Sequence, residues 1–231
     1  MTDDFQFTGD LSGAVALVAG GTGGLGRPIA VELAARGADV ITVSRSSVAV
    51  GSVPDRHICA DLRSADEASR VVDEVVGNHR RLDIVVNAVG VVAFGDVVST
   101  SVDTVEELFL TNVFAHVFLC TAALPRMSRG GVIAAISGVV AEQNLPGLVA
   151  YGASKAAVRS FDEGFAREAR RAGVRVIDAR PPHTETGLAG RAIAGTAPRF
   201  PVGLDPEAVA RRIVDAIVDG TTDLPSSAFV A

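Results

Sequence analysis

The chain contains a single tyrosine, four positions before a lysine, in the stretch "YGASK" from Tyr151 to Lys155. Residues four apart share one face of a helix. An ammonium close to a phenol favours the phenolate, and so would draw the tyrosine pKa from about 10 toward neutrality. A group that exchanges protons near neutral pH is what general acid–base chemistry requires. Upstream, the apolar run "VIAAI" ends in Ser137-Gly138, and Ser137 offers a hydroxyl as a candidate partner.

A second chemical feature lies near the start. "AGGTGGLG" (19–26) separates a strand-like run from a helix-like one. Glycines there permit positive φ and let the backbone approach a pyrophosphate seated on a helix N-terminus. The spacing Gly20-xxx-Gly24-x-Gly26 is not the tighter G-x-G-x-x-G of the commonest dinucleotide turn.

Alternating segments frame both features. Strand-like runs are "GAVALVAG" (13–20), "ADVITVSR" (38–45), "RHICAD" (56–61), "LDIVVNAVG" (82–90), "GVIAAIS" (131–137), "VRVIDAR" (174–180) and a closing "SSAFVA". Helices follow the glycine turn, then "SADEASRVVDEVVGNH" with Ser64 as N-cap, then a long apolar stretch from Val102 to Met127. The Tyr151 helix extends to Ala172, and "DPEAVARRIVDAIVDG" opens on Asp205 with Pro206 in its first turn. Continuously apolar strands separated by helices predict an α/β fold, a Rossmann-like doubly wound parallel sheet in one domain over residues 1–231.

Five motifs, in order along these elements, resemble those of the short-chain dehydrogenase/reductase (SDR) family. They are the glycine turn, "NAVG" (87–90), Asn112 in "TNVFAHVF", "YGASK", and "PPHTET" (181–186). The resemblance covers nearly the whole chain. It implies an oxidoreductase interconverting a carbonyl and an alcohol by hydride transfer, or a dinucleotide-binding protein of this type with weak or lost catalysis.

The resemblance also assigns roles. Tyr151, Lys155, Asn112 and Ser137 would form the catalytic group. Gly20, Thr22, Gly24, Leu25 and Gly26 would line the dinucleotide. Asp61 and Leu62 would contact adenine, while Asn87, Ala88 and Gly90 would line the ribose. Pro181 and Thr186 would hold the nicotinamide, alongside Tyr151 and Lys155. At the end of the second strand, Ser44 stands where an acidic residue would select NAD(H). Arg45, with Ser46 and Ser47, favours NADP(H) over NAD(H). A homodimer or homotetramer is implied as well.

The pattern has departures. The expected serine lies thirteen residues before the tyrosine, at Gly138, one place beyond Ser137. Ala19 replaces a threonine, and Pro182 replaces the glycine of P-G. The segment after Thr186 is short and nearly without aromatics, which suggests a small or open site. His183 and Glu185 read as loop residues at its mouth.

Bulk properties narrow the rest. A net charge of −6 without a basic block argues against a nucleic-acid partner. No unbroken apolar run reaches the roughly 20 residues of a bilayer span, so no membrane partner is expected. Cys59 and Cys120 have no metal or redox spacing, and His57, His79 and His116 no metal-like company; the expectation is reduced thiols, no metal and a cytoplasmic setting. "MTDDFQFTGD" lacks the basic start and apolar core of a signal peptide.

Overall fold

The computed structural model describes residues 9–46 and 56–229, so Ser47 lies outside the described residues. Seven parallel strands form one sheet in the order β3-β2-β1-β4-β5-β6-β7. They are β1 (Val15–Ala19), β2 (Asp39–Ser44), β3 (Arg56–Cys59), β4 (Ile84–Asn87), β5 (Val132–Ile136), β6 (Arg175–Ala179) and β7 (Asp223–Leu224). The order reverses direction between β1 and β4, so the carboxyl ends of these two strands border the crevice where doubly wound folds bind ligands. The glycine turn, "NAVG", Ser137 and Pro181 all follow strand ends on this edge.

Six α-helices complete the fold: α1 (Gly26–Ala35), α2 (Ala65–His79), α3 (Val102–Phe109), α4 (Ala115–Ala123), α5 (Val149–Ala169) and α6 (Pro206–Val218). Strand side chains alternate between two cores. Ala16, Val18, Val86 and Ile177 pack with Ile29 of α1 and Ile213 of α6. Leu17, Val85, Ile133 and Val176 face Val71 of α2 and Leu119 of α4. Each fully buried Leu or Ile contributes roughly 1.5–3 kcal/mol, which fixes the strand register that aligns the site. The predicted caps form. Ser64 accepts from the Glu67 amide, and Asp205 from that of Ala208.

Two readings change. The closing strand is Asp223–Leu224, and Ser226–Phe229 is a 3-10 turn instead. Glu142 explains this, because its carboxylate takes both the amide and the hydroxyl of Ser226 out of any strand ladder. The long helix is also not uniform. Residues 110–114 form a π-turn between α3 and α4, with Asn112 at its centre. The whole run Val102–Arg126 is long and apolar enough to cross a bilayer, although no unbroken apolar stretch of that length is visible in it. Half of its most apolar window is buried within the domain.

Candidate active site

Asn112 is fully buried, and the π-turn directs its amide at the loop after β4. Its Oδ1 accepts from the Val91 amide at 2.8 Å, and its Nδ2 donates to the Val91 carbonyl at 3.0 Å. The same Nδ2 donates to Ser154 Oγ at 2.9 Å, and Ser154 donates to the Tyr151 carbonyl at 2.7 Å. One asparagine thus ties the β4 loop to the first turn of α5. π-turns inside α-helices recur at functional sites for this kind of redirection.

Lys155, one turn beyond Tyr151, is buried and donates from Nζ to the Ile136 carbonyl at 2.8 Å. Burial lowers its pKa from the usual value to about 8, with Asp178 pulling weakly the other way. Gly90 lies between the two groups. A Cβ built on it would stand 3.3 Å from both Asn112 Oδ1 and Lys155 Nζ, so a hydrogen there leaves the passage open.

Tyr151 packs against Val92, Phe94 and Leu148. Its hydroxyl has no hydrogen bond among the described residues, and burial pushes its pKa up to about 12. Burial thus outweighs the expected lowering by Lys155, whose Nζ donates to a backbone carbonyl of β5.

Ser137 also takes a different partner. It is buried, and its hydroxyl donates to Asp178 Oδ1 at 2.5 Å. Arg180 holds the other oxygen of that carboxylate at 2.8 Å and also donates to Glu142 and Asp223, each at 2.6 Å. The expectation that Ser137 faces Tyr151 therefore meets a hydroxyl already committed elsewhere. Gly138, at the register position, has φ +82, and a Cβ there would meet only the Pro181 carbonyl at 3.8 Å.

The glycine turn suits an anionic group. α1 starts without a side-chain cap bond and without an acid in its first turn; the Arg27 amide donates to the Gly23 carbonyl and Pro28 has no N–H, which leaves the Gly26 amide for an anion. Gly20 has φ +74, and a Cβ on it would come within 2.8 Å of the Ala88 backbone. A Cβ on Gly26 would collide with the Gly20 carbonyl, and one on Gly24 with the Thr186 backbone. The turn, the β4 loop and the segment carrying Thr186 are thus in direct contact. Thr22 is exposed, Leu25 half-buried, and Pro181 buried with its carbonyl accepting from Val139.

The predicted adenine end is mixed. Asp61 is gripped by Arg63, which donates to both carboxylate oxygens and lowers its pKa; Arg45 adds a weaker pull. Arg63 continues to Glu107 of α3. Leu62 is buried in the α2 core, so its side chain packs inward. Arg45 and Ser46 are exposed at the end of β2. His57 braces this corner through Thr42 Oγ1 at 2.9 Å, Ser44 Oγ at 3.2 Å and the Ser46 carbonyl at 3.1 Å.

The segment after Thr186 covers the site more than its composition suggested. The Ile193 amide donates to Val92, and that of Phe94 to Ala194, both at 2.9 Å. Phe200 adds a ring 6.0 Å from Phe94 and 4.8 Å from His183. Backbone pairing replaces the missing aromatics. His183 and Glu185 stay at the mouth, 3.5 Å apart.

Sequence spacing missed Asp178, Arg180, His116 and Asp162. An arginine ending an apolar strand just before two prolines was the one local signal for Arg180. His116 has no chemical company in sequence, yet the fold brings Asp162 Oδ1 to 2.7 Å and Cys120 Sγ to 3.6 Å from its Nε2. Those three residues form a buried group of potential metal-ligand types.

Comparison with known proteins agrees with this arrangement. The sequence profile of the short chain dehydrogenases matches residues 14–196. Hydroxynaphthalene reductase arp2 of Aspergillus fumigatus is 32% identical over 221 residues, covering 91% of this chain and 80% of that protein. The chloroplastic NADPH-dependent aldehyde reductase 1 of Arabidopsis thaliana is 29% identical over 201 residues, covering 78% and 68%. A short-chain dehydrogenase from Burkholderia cenocepacia, solved in complex with NADP, superposes with a TM-score of 0.82 at 25% identity, covering 95% of this chain and 99% of that one. Glycine turn, parallel sheet and the Tyr151–Lys155 helix therefore belong together: the chain is a member of the short-chain dehydrogenase family, an oxidoreductase acting on CH–OH donors with NAD(P).

Proposed function

We propose that the protein is an NADP(H)-dependent reductase that interconverts a ketone or aldehyde and the corresponding alcohol. The arrangement that carries this reading is Gly90 beside both Lys155 Nζ and Asn112 Oδ1, on the helix face that carries a phenol packed among apolar side chains. The dinucleotide supplies the hydride. Tyr151 gives its hydroxyl proton to the carbonyl oxygen. Lys155 lies close enough to the loop after β4 to bind the ribose and to bring its charge toward the phenol, offsetting the burial that holds Tyr151 neutral. Asn112 holds the β4 loop and the start of α5 at fixed separation.

The preference for NADP(H) rests on the end of β2, where Ser44 stands in place of an acid and Arg45 and Ser46 are exposed. The NADP complex and the NADPH-dependent relative support the same choice. Tyr151 packs in an apolar cluster with Val92, Phe94, Leu148 and Phe200, surroundings that suit an apolar carbonyl compound. Phe114 at the end of the π-turn stacks on Phe118 of α4 and is 48% exposed, which supports a homodimer or homotetramer built through this face.

A second reading, a dinucleotide-binding protein with little catalysis, is favoured by one observation: Ser137 is bound to Asp178 and Gly138 carries no hydroxyl. A carbonyl panel followed at the NADPH absorbance band, on wild type and Tyr151→Phe, separates the two. The reductase reading expects turnover that Tyr151→Phe lowers by about 100-fold or more with NADPH binding retained. Tight NADPH binding with no turnover of any carbonyl would favour the binding protein.

A further inference from the structure

We infer that the buried His116–Asp162 pair is a positioning device that holds the turn after β4 in shape through Asn87. This rests on the reading of that turn as part of the dinucleotide site.

The chain of donors runs one way. The Val89 amide donates to Asn87 Oδ1 at 3.0 Å, which leaves Asn87 Nδ2 to donate to His116 Nδ1 at 3.1 Å. A nitrogen that accepts from an amide N–H carries no proton, so the ring proton sits on Nε2 and is donated to Asp162 Oδ1 at 2.7 Å. Every polar atom on the path from Val89 to α5 has its role fixed by its neighbour. His116 is one helical turn beyond Asn112, so two parallel links join the β4 loop to α5. One is Val91–Asn112–Ser154, and the other is Val89–Asn87–His116–Asp162.

Asp162 closes the second link at a cost. Its Oδ2 is buried without a hydrogen-bond partner, an expensive state for a carboxylate unless its other oxygen is well used. Packing alone would not require such a pair between α4 and α5, since apolar residues fill that kind of contact without a desolvation penalty. The same tautomer makes this a hydrogen-bond chain instead of a ligand set. Cys120 Sγ is nearly equidistant from the two ring nitrogens, at 3.6 and 3.7 Å, and a metal on Nε2 would put the ring proton on Nδ1, against the Asn87 NH2 group.

If His116 Nε2 loses the Asp162 acceptor, the imidazole is free to move its proton to Nδ1, where it would meet the Asn87 NH2 group head on. Asn87 then turns, and the Val89 amide loses its acceptor.

The test compares the full-length wild type with Asp162→Asn, which keeps an oxygen acceptor, and with the double variant His116→Leu/Asp162→Leu. Exchanging buried charged and polar groups for well-packed apolar residues is often neutral for stability, so the double variant is expected to stay folded with its urea midpoint little changed. Amide hydrogen exchange at Val89 in the free protein, NADPH affinity by fluorescence titration, and the split between kcat and KM are the readouts. The double variant is expected to exchange Val89 about tenfold faster and to bind NADPH about tenfold more weakly. Its kcat at saturating cofactor is expected to stay within about threefold of wild type, as befits lost ground-state positioning. Asp162→Asn should follow wild type. A double variant with wild-type Val89 exchange and wild-type affinity overturns the inference, and so does an Asp162→Asn protein as impaired as the double variant. Should wild type bind neither NADPH nor NADH, the dinucleotide reading of the turn falls, while Val89 exchange still decides the positioning role.

Discussion

Ser137 and Asp178, 41 residues apart, are joined by a hydroxyl–carboxylate bond across the β5–β6 seam. That bond satisfies a carboxylate oxygen that would otherwise be buried bare. Ser137→Ala is therefore expected to leave turnover within about threefold of wild type and to cost roughly 1–3 kcal/mol of stability. Steady-state rates and urea unfolding on one preparation check both halves. A loss of turnover without a loss of stability would return Ser137 to the catalytic group.

Arg180 is the hub behind this pair, nearly buried and shared by Asp178, Glu142 and Asp223. Replacing it with Leu leaves two largely buried carboxylates without their cation and is expected to cost about 3–5 kcal/mol at neutral pH. The Glu142 carboxyl is held below its usual range by Ser226 and Arg180, so wild type loses this contribution as pH falls. The gap between wild type and Arg180→Leu should thus hold down to about pH 4.5 and narrow below it in urea midpoints, and a gap that stays constant below that pH would contradict the hub.

Lys155 makes stability depend on alkaline pH. Its folded pKa of about 8 lies below its ordinary value, so between about pH 8 and 10 the unfolded chain holds more protons there than the native state. Stability should rise with pH through that window, by up to about 3 kcal/mol from this group. Tyr151, raised to about 12, acts oppositely above pH 10, where the unfolded phenol ionises first. Comparing unfolding midpoints of wild type and Lys155→Met from pH 7 to 10 isolates the lysine, whose removal should flatten the rise.

Arg45 stands at the end of β2 with its side chain exposed. Arg45→Ala is expected to weaken NADPH binding at least about tenfold and leave NADH nearly unchanged, because a charge-assisted contact to one phosphate is lost. Fluorescence titration with each dinucleotide measures this. Equal losses for both would remove the selective role.

What the sequence made legible follows from period and punctuation. Apolar strands of four to six residues, glycines before α1, and Tyr151 four before Lys155 all act locally, so spacing alone exposes them. The partners of these residues do not. Ser137 looked like a neighbour of Tyr151 because both flank one loop, but its hydroxyl bonds what the adjacent strand brings to its face, and β6 brings Asp178, in register with Ala135 two residues earlier. The resting state of the phenol and the ammonium was equally out of reach of spacing. Helical spacing put both groups on one face, and a backbone carbonyl from β5 then captured the ammonium. His116 and Asp162 lie on separate helices, 46 residues apart, and nothing in either segment announces the other.

The π-turn at 110–114 has one further consequence, in the bookkeeping of chain length. It holds one residue more than an α-turn would, so Asn112 and His116 reach the β4 loop in a phase that a regular helix would not give. Deleting any single residue there would restore ordinary helical hydrogen bonding, and would rotate everything on one side of the cut by about 100° relative to the other. The straighter helix would be locally more regular, yet Asn112 and His116 could no longer both face the loop. Length at this point is under tighter constraint than residue identity, and alanine scanning alone would never reveal it.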